Sequence, residues 1–141
     1  KFYHARGLAY ASLTLDSAAI NDYNAAIEIN SVVPEFFVDR GISQRKLAAH
    51  EKAMNDFNRA IALDNSCARG YFQRGLLKAA LHQYDEAILD YNRSIELDGH
   101  NLEAFRSRGE TRAFLDDFMG AISDYDKMIE SADASALAYK Q

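Results

Sequence analysis

The sequence predicts an all-α stack of antiparallel helical hairpins. Three observations carry this: a residue pattern that returns every 34 positions, apolar side chains at helical spacing within each unit, and a glycine and an alanine at fixed phase. Self-similarity at such a period decides an architecture before any local feature does. Arg6 and Gly7 return as Arg40 and Gly41, as Arg74 and Gly75, and as Arg108 and Gly109, without a gap. An aromatic precedes each pair (Tyr3, Phe37, Tyr71, Phe105) and a leucine follows it (Leu13, Leu47, Leu81, Leu115). Further on come Ala19, Ala53, Ala87 and Ala121, then Asp22, Asp56, Asp90 and Asp124, each with an aromatic neighbour in Tyr23, Phe57, Tyr91 or Tyr125. The pattern predicts one domain over 1–141, with units of about 1–33, 34–67, 68–101 and 102–135. Residues 136–141 are expected to begin a fifth first helix or a cap.

Each unit reads as two helices. Ala87, Ile88, Tyr91 and Ile95 fall at offsets 0, 1, 4 and 8 and stack on one face of a helix of 3.6 residues per turn. Upstream, Tyr71, Gly75, Lys78 and Leu81 span a first helix, and His82 to Asp85 leaves room only for a turn. The single proline, Pro34, opens the second unit, where the first turn of a helix tolerates it. Ser31, Asn65, Gly99 and Asp133 read as turn or cap formers after the second helices. A glycine inside a helix costs about 0.5–1 kcal/mol relative to alanine, so the four glycines require compensation. The expected source is close approach to the alanines of the second helix, with Tyr23, Phe57, Tyr91 and Tyr125 filling the wider gap between units.

Composition narrows the function. Hydrophobic residues make up 48% of the 141, enough for a continuous core. Sixteen basic residues against 21 acidic ones give a net charge of −5, and the basic residues form no stripe, which disfavours nucleic acid as a partner. The lone Cys67 has no internal disulfide partner, which fits a reducing compartment and makes cytoplasm the expected location. No apolar run approaches the length of about 20 residues needed to span a bilayer. The chain opens inside a helical pattern without an initiating methionine, so the presence of an earlier segment stays open.

The 34-residue period, the first aromatic, the glycine, the alanine and the later aromatic resemble the tetratricopeptide repeat over essentially the whole chain. The resemblance implies a right-handed α-solenoid whose first helices line a concave face that receives extended peptides or helices. The sequence departs from that pattern in two columns. Proline is absent after the second helices, and Tyr10 is followed by Gln44, Lys78 and Arg112, so that column is expected to be wetter.

Projected on this geometry, Leu8, Val38, Ile42, Phe72, Leu76 and Phe114 lie along the groove. Val38 and Phe72 fall between core columns and are expected to be exposed, whereas Leu8 and Leu76 suit packing under the next helix equally well. Lys1, His4, Asp39, Arg45, Lys46, Arg69, Gln73, Arg106, Ser107 and Glu110 form a mixed polar rim of the kind that sets register. One subgroup of the family grips chaperone carboxylate termini with Lys, Asn and Arg at set places. Here those places hold His4, Leu8, Asp39, Arg69 and Gln73, or, one unit on, Val38, Ile42, Gln73, Glu103 and Ser107. Most of the basic and amide groups are missing, so an internal peptide with an apolar anchor is the expected ligand.

Each recurrent arginine is expected to pair with a recurrent aspartate of its own or the adjacent unit, as a structural ladder rather than a ligand site. His4, His50, His82 and His100 share no helical face and accompany no cysteine pair, so neither a metal nor another cofactor is expected. No nucleophile meets a base and an orienter, so no enzyme is expected. The predicted function is a non-catalytic protein-interaction module or scaffold. Two alternatives are a homo-oligomeric platform assembled through open solenoid ends and a substrate-recruiting part of a larger protein.

Overall fold

The computed structural model describes residues 1–140. Among them are eight helices: α1 Phe2–Ser12, α2 Asp16–Ile29, α3 Pro34–Lys46, α4 His50–Leu63, α5 Ala68–Ala80, α6 Tyr84–Leu97, α7 Leu102–Phe114 and α8 Phe118–Lys140. They pair in order as four hairpins, and each hairpin packs on the next. First helices also touch one another, α1 with α3, α3 with α5 and α5 with α7, whereas no second helix touches another second helix. This asymmetry bends the stack. The first helices crowd onto a concave face, and the second helices splay over the convex one.

The turns repeat as faithfully as the helices. Within each hairpin the residue after the leucine cap, Thr14, Ala48, His82 or Asp116, adopts the left-handed conformation, with φ between 58 and 65°. The next residue donates its amide back to the first helix, Leu15 to Tyr10, Ala49 to Gln44, Gln83 to Lys78 and Asp117 to Arg112, at 2.8–2.9 Å. These bonds close a Schellman turn that satisfies the helix end. The turn is tighter than expected, since Tyr84 and Asp85 already belong to α6.

Between hairpins the device differs. Asn30, Asp64 and Asp98 leave the helix in extended conformation, and each side chain accepts the amide two residues on, from Val32, Ser66 and His100. Such Asx turns compete with helix continuation. In the fourth unit this place holds Ala132, and α8 runs on without a break to Lys140. Asp133 therefore sits inside a helix, and residues 136–140 continue α8 rather than open a fifth helix. Gln141 lies outside the described residues.

The glycines make room for rings rather than for alanines. A methyl group on Gly7, Gly41 or Gly75 would stand 2.5–2.7 Å from the ring of Tyr23, Phe57 or Tyr91 in the same hairpin. Only at Gly75 does an alanine share the contact, through the Ala87 carbonyl. The aromatics thus fill the hairpin interior and also reach the following unit, Phe57 at Leu77 and Tyr91 at Ala104. Phe57 with Ala53 and Leu77, Tyr91 with Phe72, Ala87 and Ala104, and Phe37 with Val38 and Ala60 form the three core clusters along the stack.

The arginine ladder forms. Arg6, Arg40 and Arg74 each place Nε and Nη2 on the two oxygens of Asp22, Asp56 and Asp90, at 2.7–2.9 Å, and Arg108 grips Asp124 likewise at 2.6–3.1 Å. The remaining Nη1 of Arg40, Arg74 and Arg108 donates to Asn24, Asn58 and Asn92 of the preceding hairpin. Every such arginine therefore closes its own hairpin and fastens it to the one before. Lys78 and Arg112 add a second cation to Asp90 and Asp124, each at 3.0 Å, which is why that column is polar.

Candidate functional site: the concave groove

Asp39, buried on α3, is the centre of the concave wall. Its Oδ2 meets His4 Nε2 of α1 at 2.7 Å, and its Oδ1 accepts from Arg69 Nη2 of α5 at 2.7 Å. One carboxylate thereby links three first helices. The His4 ring also packs on Phe36, with centroids 4.7 Å apart.

Beside this link lies a hollow of ≈ 230 Å³ between α1 and α3, lined by Leu8, Ala11, Ser12, Tyr23, Asp39, Ile42, Ser43 and Lys46. Its walls are apolar at Leu8 and Ile42, and its floor carries the buried Ser43 hydroxyl, which has no hydrogen-bond partner. Burial pushes the Tyr23 phenol up to about 12, and the nearby Asp39 charge adds to the shift. Sequence reasoning missed Ser43. Its column is Ala9, Ser43, Leu77 and Thr111, and of the two hydroxyls only that of Thr111 is bound, to the Ser107 carbonyl.

Val38 and Phe72 do not face the groove. They are 0% and 5% exposed. Val38 packs with Phe37 and Ala60, and Phe72 lies against Tyr91 and Ala104, so both belong to the core. The reason is geometric: first helices that touch one another leave that column no path to solvent, and it turns polar only at the ends, as His4 and Arg106. Ile42 and Leu76 are half-buried at the groove floor. Leu8 is 41% exposed and stands free as an apolar anchor.

The remaining candidates divide in two. Arg106 pairs with Glu103 one turn away at 3.1 Å, and Glu110 is exposed. Phe114, 66% exposed, stacks on Tyr84 with centroids 4.5 Å apart, and the Tyr84 hydroxyl meets His82 Nδ1, which places Phe114 on the rim rather than the floor. Arg45 and Gln73 approach across α3 and α5, with Nη2 to Oε1 at 3.4 Å.

No group of three or more potential metal ligands occurs among the described residues, and no helix there is long and apolar enough to cross a membrane. What the fold presents is a stack of helical hairpins whose first helices share one face, with a hollow between α1 and α3. It is an α-solenoid, a class that works through extended surfaces.

Comparison with known proteins agrees. Tetratricopeptide repeat profiles match residues 1–32 and 68–101. A crystal structure of MamA superposes with a TM-score of 0.85 at 22% identity, over 95% of this chain and 78% of that one. The first TPR of Spaghetti (RPAP3), bound to the HSP90 peptide SRMEEVD, superposes with a TM-score of 0.77 at 27% identity, over 81% and 90%. The Sgt2 TPR domain from Aspergillus fumigatus gives 0.77 at 23%, over 81% and 77%. No curated protein matches. The chain is a tetratricopeptide repeat protein, with two of its four units matched by that repeat's profiles.

Proposed function

We propose that this chain is a non-catalytic module that holds a peptide or helical segment of a partner protein along its concave groove. The observation that carries the reading is the hollow beside α3. It sets exposed and half-buried apolar side chains, Leu8 and Ile42, next to the unpaired cation of Lys46 and the unpartnered hydroxyl of Ser43. Apolar area gives affinity and the polar neighbours give register. A chaperone-tail clamp fits poorly, because the His4 ring and the Arg69 cation are already held by Asp39. Cytoplasm is the location we infer.

The test compares pull-downs by the native chain and by a Leu8→Glu, Lys46→Glu variant of equal helicity, both sites being at the surface. A partner lost with the variant supports the groove. A partner retained by it moves the function to another face. Glutamate at Val38 or Phe72 tests folding instead of binding.

Self-assembly is a second reading, favoured by α8. Ile122 and Ile129 are 52% and 58% exposed, whereas their counterparts Ile20, Ile27, Met54, Ile61, Ile88 and Ile95 are half-buried. Asp126 stands in the column of Asn24, Asn58 and Asn92, which receive an arginine from the following hairpin, and Arg6 reaches no asparagine. Arg6 of a second copy fits Asp126. Light scattering that shows a monomer at every concentration removes this reading, and association weakened by Asp126→Lys supports it.

A further inference from the structure

Three ladder arginines use one edge of the guanidinium in the same way. In Arg6, Arg40 and Arg74, Nε and Nη2 donate side by side to the two oxygens of one aspartate. Two parallel donors on one planar carboxylate is the strong form of arginine recognition.

Arg45 carries the same edge into the concave wall with no carboxylate on it. Its Nη2 reaches Gln73 Oε1 only across 3.4 Å, and its Nε is buried without an acceptor. Among the described residues it joins no ion pair. A buried N–H in this state has lost its water and gained nothing in exchange, and burial accordingly lowers the Arg45 pKa from its ordinary value. Lys46, next along α3, is exposed and also unpaired. This stretch of groove therefore carries uncompensated positive charge inside a chain whose net charge is −5.

We propose that Arg45 binds a side-chain carboxylate, a Glu or Asp within a segment threading the groove, and that Gln73 is a placeholder which that carboxylate displaces. The proposal rests on the groove reading above and names the chemistry of its ligand. The incoming oxygens accept from Nε and Nη2 as Asp56 accepts from Arg40, and Gln73, on a flexible side chain, turns its amide nitrogen to the same group. A carboxylate within the segment fits better than a chain terminus. The hollow at Leu8 and Ile42 lies on one side of Arg45, and Leu76, one turn along α5 from Gln73, lies on the other, so the segment continues in both directions.

Two pools of short N-acetylated, C-amidated peptides test this, degenerate in Leu, Ala, Ser and Gln and differing only in Glu or Gln at the centre. Each is titrated into the native protein and followed by nitrogen-15 NMR, including the Arg45 Nε–H resonance. The expected result is a preference of about tenfold for the Glu pool, with the Nε–H moving downfield for that pool alone. Arg45→Gln abolishes the preference, Arg45→Lys keeps the charge yet loses most of it, and Gln73→Ala retains it. Equal binding of both pools by the native protein, or a preference that survives Arg45→Gln, overturns the proposal and leaves the groove reading standing. A Gln pool with a free carboxyl terminus that outcompetes the Glu pool overturns the internal placement. Binding of neither pool defeats both readings.

Discussion

Arg40 holds Asp56 through hydrogen bonds of 2.8 and 2.7 Å inside its own hairpin, and its third nitrogen reaches Asn24 in the hairpin before, at 2.9 Å. Asp56 is buried and Arg40 largely so, and removing the carboxylate takes both of its charge-assisted bonds from the guanidinium. Asp56→Ala is expected to destabilise the fold by about 3 kcal/mol, as breaking one side of a buried pair does. Urea unfolding measures the loss, and an unchanged midpoint would deny the ladder its structural role. Arg40→Lys, which keeps the charge and loses the two-donor edge, is expected to fall between the two.

Alkaline pH weakens the stack through its buried tyrosines. Burial raises Tyr23 and Tyr91 to about 12. A raised folded value means that the neutral phenol is favoured in the native state, so this stability is complete below the unfolded value near 10 and is lost as pH climbs from there towards 12. Two of the eight tyrosines, Tyr23 and Tyr91, are therefore expected to ionise together with unfolding. Tyrosinate absorbance recorded beside circular dichroism checks this, and a single titration step before any loss of helix would contradict it.

Low pH acts at Asp22. Its hydrogen bonds from Arg6 hold it below the usual carboxylate range, so its contribution is present above the unfolded value and disappears as pH falls through the folded one. The Asp22 carboxyl resonance is expected to titrate below the usual carboxylate range, and Arg6→Gln is expected to raise it.

Ala48 adopts φ of 61° with a side chain that gains nothing there. Ala48→Gly relieves the left-handed strain at some cost in unfolded-state entropy and is expected to stabilise the protein by about 0.5–1 kcal/mol. A thermal midpoint raised by about 1–4 °C is the expected reading. A lowered midpoint would mean that the strain is already relieved by its surroundings.

Ala132→Asp restores the residue type that ends α4 and α6. Hydrogen exchange is expected to show lower protection beyond residue 132, since the new side chain offers the backbone an Asx turn in place of the helix. Unaltered protection to Lys140 would show that the loss of the earlier turns' other residues, not this one, keeps α8 straight.

Much of this molecule was legible in its sequence, because a repeat writes each structural requirement four times. The period, the hairpins and the pairing of Arg40 with Asp56 follow from columns that recur at fixed phase, and propensity decides little against such redundancy. The left-handed turn was hidden, because Thr14, Ala48, His82 and Asp116 share a backbone conformation and no chemistry. The end of α8 was hidden for the opposite reason: one alanine in an aspartate column carries the information, and the neighbouring Asp133 resembles a turn former.

The groove was less legible than the scaffold. Spacing along one helix assigns residues to faces, and it put Asp39, Arg69, Arg45 and Gln73 on one side, where Arg69 meets Asp39 and Arg45 approaches Gln73. It misjudged Val38 and Phe72, since their exposure depends on how closely α3 and α5 approach their neighbours, which no single helix records. The sequence alone determined the architecture and the ladder, where every unit repeats the same demand. Only the tertiary structure decided that Asp39 is consumed by His4 and Arg69 while Arg45 keeps a free edge, because these contacts join different columns of different hairpins, and the repeat does not repeat them.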